Sequence, residues 1–201
     1  MTRNTIDVRR RTALVISTVA WIATAAVTLV AAKVQAQADP KFNFSTIKTF
    51  AFDPASPGQV LVVVSKDSKS EPVQRQYEPL IVQSIEEQFA ARGYTKASLR
   101  TFDFRLTYYL LITAGNSSQY MGQFLPANAG WGLPLFAPQT TALSYYPEGT
   151  LVVDASSENA GGVFWRGVAQ AKIEAENDEA KRTARLKSVI KDLVAKFPKR
   201  K

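Results

Sequence analysis

Asp154, Trp165 and Arg166 are the residues of this chain most easily mistaken for a chemical site: a carboxylate and, eleven positions on, an indole beside a guanidinium. The chain has no histidine and no cysteine. That removes the commonest general base, the commonest nitrogen ligand for metals, thiolate nucleophiles and disulfides, as well as the lipid-acceptor cysteine of a bacterial lipoprotein. Acid-base work would fall to carboxylates, lysines or tyrosines. Glu86 and Glu87 do not form a carboxylate dyad, because neighbours on a helix diverge by about 100°. Gly161-Gly162 and Gly130-Trp131-Gly132 lack the glycine spacing, the following Lys-Ser/Thr and the helix start of a phosphate loop. The expectation is therefore a protein that is not an enzyme, with no catalytic residue, no cofactor and no metal. A hydrolase built from carboxylates gathered out of distant segments is the enzymatic alternative.

The elements around these residues can be read from periodicity. Thr150 to Asp154 and Val163 to Ala171 are rich in β-branched and aromatic residues and flank Ser156 to Gly162, a polar, glycine-containing stretch that suits a hairpin connection. On this reading Asp154 ends a strand at a turn, where its carboxylate accepts from backbone N–H groups. Alternation puts Phe164 and Arg166 on one face and Trp165 on the other, making Trp165 a core anchor and Arg166 a surface or cross-strand ion partner.

Ile47 to Phe52 and Val60 to Val64 read as further short strands. From about Pro79 a helical stripe of Leu80, Ile81, Ser84, Ile85 and Phe89 begins, and Gly93 ends it as a C′ glycine. Phe102, Phe104, Leu106 and Tyr108 alternate with polar residues before an apolar run to Ile112, a strand that becomes buried on both faces. Asp178 to Phe197 carries a stripe of Leu186, Val189, Ile190, Leu193, Val194 and Phe197, with Pro198 beyond it. Together these elements predict an α+β domain, a mainly antiparallel sheet with two packed helices, preceded by an N-terminal hydrophobic export segment.

The stretch 113–147 has clustered Gly and Pro and no sustained period, yet it is too aromatic for a solvated linker. Its side chains either fold back to cap one end of the sheet or form an exposed patch that contacts a partner, a lipid surface or a glycan. Tyr120, Phe124, Trp131, Leu133, Phe136, Tyr145 and Tyr146 are the candidate binding residues. Trp131, set between two glycines, is the foremost of them.

Ala13 to Ala32 is an uncharged apolar run of about twenty residues, long enough to cross a bilayer. It follows Arg9-Arg10-Arg11, the arrangement that holds an N-terminus in the cytoplasm while the downstream chain is exported. Val34-Gln35-Ala36 and Ala36-Gln37-Ala38 each fit the small-x-small pattern of a cleavage site. Residues 1–38 thus read as a signal peptide or an N-terminal membrane anchor, and 39–201 as a single domain in the periplasm or held at a membrane facing it. The net charge of +8 is terminal: basic residues of the leader suit membrane topology, and the body from Asp39 to Ala180 holds more Asp and Glu than Lys and Arg. The remaining excess lies in Lys181, Arg182, Arg185, Lys187, Lys191, Lys196, Lys199, Arg200 and Lys201, facing only Asp192. This distribution argues against a nucleic-acid partner.

Several strips taken together resemble the bacterial domain-of-unknown-function family 4136, small exported envelope proteins that are commonly lipoproteins. They are Phe42 to Phe52, Ala91-Arg92-Gly93-Tyr94, Glu148 to Asp154, Val163-Phe164-Trp165-Arg166-Gly167, and Ala195-Lys196-Phe197-Pro198. The chain departs from the family in lacking the lipid-acceptor cysteine and in its enlarged middle stretch. The resemblance implies an exported location and an α+β fold, and no activity. The functional expectation is an exported envelope protein, a non-enzymatic binding or scaffolding module whose partner is an unknown envelope protein, a lipid surface or a glycan. A leader left uncleaved would add membrane contact. The alternative is a basic module that contacts anionic lipid or cell-wall polymer through its C-terminal helix.

Overall fold

In a computed structural model, the structure describes residues 32–63, 67–98, 100–113, 148–157, 162–172 and 178–199. Within them the chain forms β1 (Lys33–Ala38), β2 (Thr49–Phe52), β3 (Gly58–Val63), α1 (Ser70–Ala91), β4 (Thr95–Lys96), β5 (Phe104–Thr113), β6 (Glu148–Ser157), β7 (Gly162–Lys172) and α2 (Glu179–Val194). The strands make one sheet in the order β1-β7-β6-β5-β2-β4, with β3 also paired to β5. The α+β class and the mostly antiparallel sheet agree with the reading of the sequence. The β1, β7, β6 and β5 pairings are antiparallel, whereas β2 and β3 run parallel to β5, one after the other along its far edge.

Strand register sorts the side chains into two faces. Phe52, Leu106, Ala155, Trp165 and Ala38 form one row across the sheet, and Val60, Leu110, Leu151, Ala169 and Val34 another. Both rows belong to the principal core, where Ile81, Ile85 and Phe89 of α1 and Ile190, Leu193 and Val194 of α2 cover them. Phe197 lies at the centre of this layer, stacked on Phe104 with centroids 5.8 Å apart and edge-on to Phe89 and Trp165 at 5.0 Å each. Arg92 donates through Nη2 to the Phe197 carbonyl, fastening the turn after α2 to the end of α1.

Two of the expected helix termini, the start of α2 and the end of α1, have clear physical counterparts. Asp178 is the N-cap of α2 and its carboxylate accepts from Ala180 N at 2.9 Å and Lys181 N at 3.3 Å, satisfying donors the helix leaves unpaired. At the end of α1, Gly93 N donates to Ala90 O and Tyr94 N to Phe89 O, while Tyr94 packs on Phe89. This is a Schellman closure, and it requires the left-handed backbone of Gly93 at φ +85°.

Three expectations need correction. α1 begins at Ser70 rather than near Pro79, which lies inside the helix. The stripe of Leu80, Ile81, Ser84, Ile85 and Phe89 is only the second half of the helix: Val73 and Tyr77 pack on the same core as Ile81, and Ser70 Oγ accepts from Val62 N at 3.0 Å to tie the helix start to β3. The alternation read for Phe164 and Trp165 also fails. Ser156 pairs with Val163 and Ala155 with Trp165, so Phe164 is an extra residue in a β-bulge. A bulge sets two residues against one, and both Phe164 and Trp165 reach the principal core. Asp154, finally, does not end its strand; β6 runs on to Ser157. Trp165 itself is fully buried, as a core anchor should be.

Candidate functional site

The face of the sheet away from the helices holds the charged residues singled out in the sequence. Thr107, Asp154, Arg166 and Gln37 make one row across β5, β6, β7 and β1, and Gln59, Tyr109, Val152, Val168 and Gln35 the next. Tyr109, Leu111, Val152 and Val168 form a second apolar cluster, with Leu61 at its margin. Only strand residues contribute to this cluster among the described residues. Gln35, Gln37 and Gln59 are exposed where the rows reach the outer strands, so the apolar centre has a polar amide rim.

Asp154 and Arg166 face each other directly across β6 and β7. Arg166 donates from Nε to Asp154 Oδ1 at 2.6 Å and from Nη2 to Oδ2 at 2.5 Å, the two-pronged arrangement that a planar guanidinium makes with a carboxylate. Asp154 is 2% exposed and Arg166 6%. Burial pushes the Asp154 carboxyl above its ordinary value, and the Arg166 hydrogen bonds and charge pull it back. Burial also raises the Tyr109 hydroxyl, with the Asp154 charge acting the same way and Arg166 opposing it. The backbone-capping role expected of Asp154 is thereby replaced by an ion pair. The expectation of an ion partner for Arg166 holds in its cross-strand form, not its surface form. Each carboxylate oxygen of Asp154 thus accepts from the one guanidinium.

A different carboxylate does the backbone work. Asp103, just before β5, accepts from Lys48 N at 2.7 Å, Thr49 N at 2.8 Å and Thr49 Oγ1 at 2.9 Å. Partial burial pushes its carboxyl up, but these donors outweigh it and hold the value below the ordinary range. Sequence reading passed Asp103 over as a polar position in an alternating strand; its partners lie more than fifty residues away, where local pattern carries no signal. On the helix side, Tyr108 donates to Glu78 Oε2 at 2.7 Å. Burial, then Glu78, raises its hydroxyl far above the usual value. Among the described residues no group of three or more His, Cys, Asp or Glu could hold a metal ion. Tyr120, Phe124, Trp131, Leu133, Phe136, Tyr145 and Tyr146 lie outside the described residues. The strands on either side of that segment pair closely, with Thr113 opposite Glu148.

A family model described as Domain of unknown function (DUF4136) matches residues 34–199. The chain belongs to this family. The match runs through β1 and α2 and includes the Asp154–Arg166 pair of this DUF4136 protein. Similar solved structures include a DUF4136 family protein from Bacteroides thetaiotaomicron, 17% identical with a TM-score of 0.48, over 85% of this chain and 98% of that one. A PDZ domain protein from Parabacteroides distasonis is 14% identical with a TM-score of 0.50, over 82% of this chain and 35% of that one. A minor lipoprotein from Acinetobacter baumannii is 11% identical with a TM-score of 0.32, over 76% of this chain and 90% of that one. Such low identities bear on fold and not on activity. No curated protein matches the chain in sequence.

Proposed function

We propose that this DUF4136 protein is an exported cell-envelope module that binds or scaffolds through the edge of its sheet and is not an enzyme. The observation that carries the reading is the position of β1: it ends the sheet, and its outward side pairs with no described strand. An unblocked edge is a template for an extended segment of another protein, whose backbone would continue the ladder. Lys33, Gln35 and Gln37 are exposed along it and would give such a partner polar contacts beside the backbone bonds. Export is supported by Arg9-Arg10-Arg11 ahead of the apolar run Ala13 to Ala32. The occupied carboxylate of Asp154 supports the non-enzymatic reading. A photo-crosslinking residue at Gln35 or Gln37, activated in intact envelopes, should capture a discrete partner, and the same residue on exposed Glu87 of α1 should not. Equal labelling from both positions would refute the edge as the contact.

A second reading draws on one further contact. α2 packs against β1 as well as β7, so the basic helix adjoins the strand that follows the apolar run. Its exposed lysines Lys181, Lys187, Lys191 and Lys196 could meet anionic lipid or cell-wall polymer. Cosedimentation of the soluble domain with anionic but not neutral vesicles, abolished by salt, would favour this reading over the edge.

A further inference from the structure

Both export-cleavage tripeptides, Val34-Gln35-Ala36 and Ala36-Gln37-Ala38, lie inside β1. That strand is a full member of the sheet. Every residue from Lys33 to Ala38 has a partner on β7, from Gln170 back to Trp165, and the pairing is closed by Asp39 N donating to Phe164 O at 2.8 Å. Val34, Ala36 and Ala38 pack on the principal core, and α2 lies against the strand. A cut after Ala38 would delete all of β1, and a cut after Ala36 would leave two residues of it. Either would turn β7 into an edge with a row of unpaired backbone groups and would uncover apolar surface beside Ala169 and the fully buried Trp165. The family match likewise begins at residue 34, ahead of both cuts.

We infer that neither tripeptide is where the exported chain is processed: the mature protein keeps β1, and its first residue lies at or before Lys33. The strand's small residues answer to the sheet. Alanine at 36 and 38 fits beneath α2 and beside Trp165, and the intervening glutamines take the other face, so the packing of an inward-outward strand reproduces the small-x-small pattern without serving a peptidase. With β1 retained, no linker separates the sheet from residue 32, the end of the apolar run.

The test is the N-terminus of the full chain produced with its own leader in a bacterial host and recovered from membrane and soluble fractions. Intact mass and N-terminal sequencing should give a first residue at or before Lys33. A first residue anywhere beyond Lys33, Gln37 or Asp39 in particular, overturns the inference. A second measurement examines the physical premise. Chains exported behind a heterologous cleavable leader and beginning at Lys33 or at Asp39 should differ, the shorter one melting several degrees lower or aggregating; equal Tm values for the two would also overturn it.

Discussion

Asp154→Asn is the most informative single perturbation of this fold. The carboxylate is 2% exposed and takes two hydrogen bonds from one guanidinium, at 2.6 and 2.5 Å. The amide has nearly the same shape but no charge, and one of its two head atoms is a donor facing a donor. Arg166, at 6% exposure, is then left as an uncompensated charge beside Tyr109, Val152 and Val168. Breaking a buried pair in this way costs about 3 to 5 kcal/mol, against a total stability of roughly 5 to 15 kcal/mol for a domain. The pair as a whole has a different value. Replacing both partners, as in Asp154→Leu with Arg166→Met, removes the desolvation penalty together with the attraction and should be neutral or stabilising by about 1 to 4 kcal/mol. Urea unfolding of the wild type, both single variants and the double variant closes the cycle, and a strong positive coupling is expected. An Asp154→Asn variant within about 0.5 kcal/mol of wild type, the range of ordinary surface changes, would refute the reasoning, since the pair could not then be desolvated. A double variant as unstable as either single variant would refute it from the other side.

Trp165→Ala should cost on the order of 3 to 5 kcal/mol, while Trp165→Phe should cost distinctly less, because it keeps a ring against Phe197; equal losses in thermal unfolding would contradict the packing role. Gly167→Ala puts a methyl 2.5 Å from Trp165 Cη2 and 2.7 Å from Leu193 Cδ1, so it should destabilise by about 1 to 3 kcal/mol, a loss that denaturant titration would detect and that is absent if α2 can move away freely. Gly93→Ala has nothing within 4 Å of the new methyl, leaving only the left-handed backbone cost of about 1 to 2 kcal/mol; Gly93→Asn should be milder, and an Ala variant as stable as wild type would dismiss the Schellman closure. Asp103, whose carboxyl is held below its ordinary value, contributes stability that is present above the unfolded-state value near about 3.9 and is lost as pH falls through the lower folded-state value. The deficit of Asp103→Asn, about 1 kcal/mol at this solvent-screened position, should therefore be full at neutral pH and shrink in acid, and a deficit that grows on acidification would reverse the assignment.

The features of this chain that were legible in the sequence are those set by near neighbours. Asp178 lies one residue ahead of the helix it caps, Gly93 two beyond the helix it closes, and the inward positions of β5 and α2 recur at the periods that strand and helix geometry impose. Long-range relations decided the rest. β3 has the same apolar run whether it pairs parallel or antiparallel, and only its placement beside β5 selects parallel. The helical spacing is plain only from about Pro79, and the turns from Ser70 onward join the helix because Val73 and Tyr77 find the core there to pack on. Val34, Ala36 and Ala38 satisfy a peptidase pattern and a strand pattern equally, and pairing with β7, more than a hundred residues away, makes them a strand. The same applies to the candidate site: Asp154 and Arg166 were visible as charges, but their burial and mutual engagement depend on β6 and β7 being interior strands with both edges paired. Local sequence specifies which conformations a segment prefers, whereas burial and partner choice are properties of the assembled sheet, and here those properties turned a presumed turn carboxylate into half of a buried ion pair.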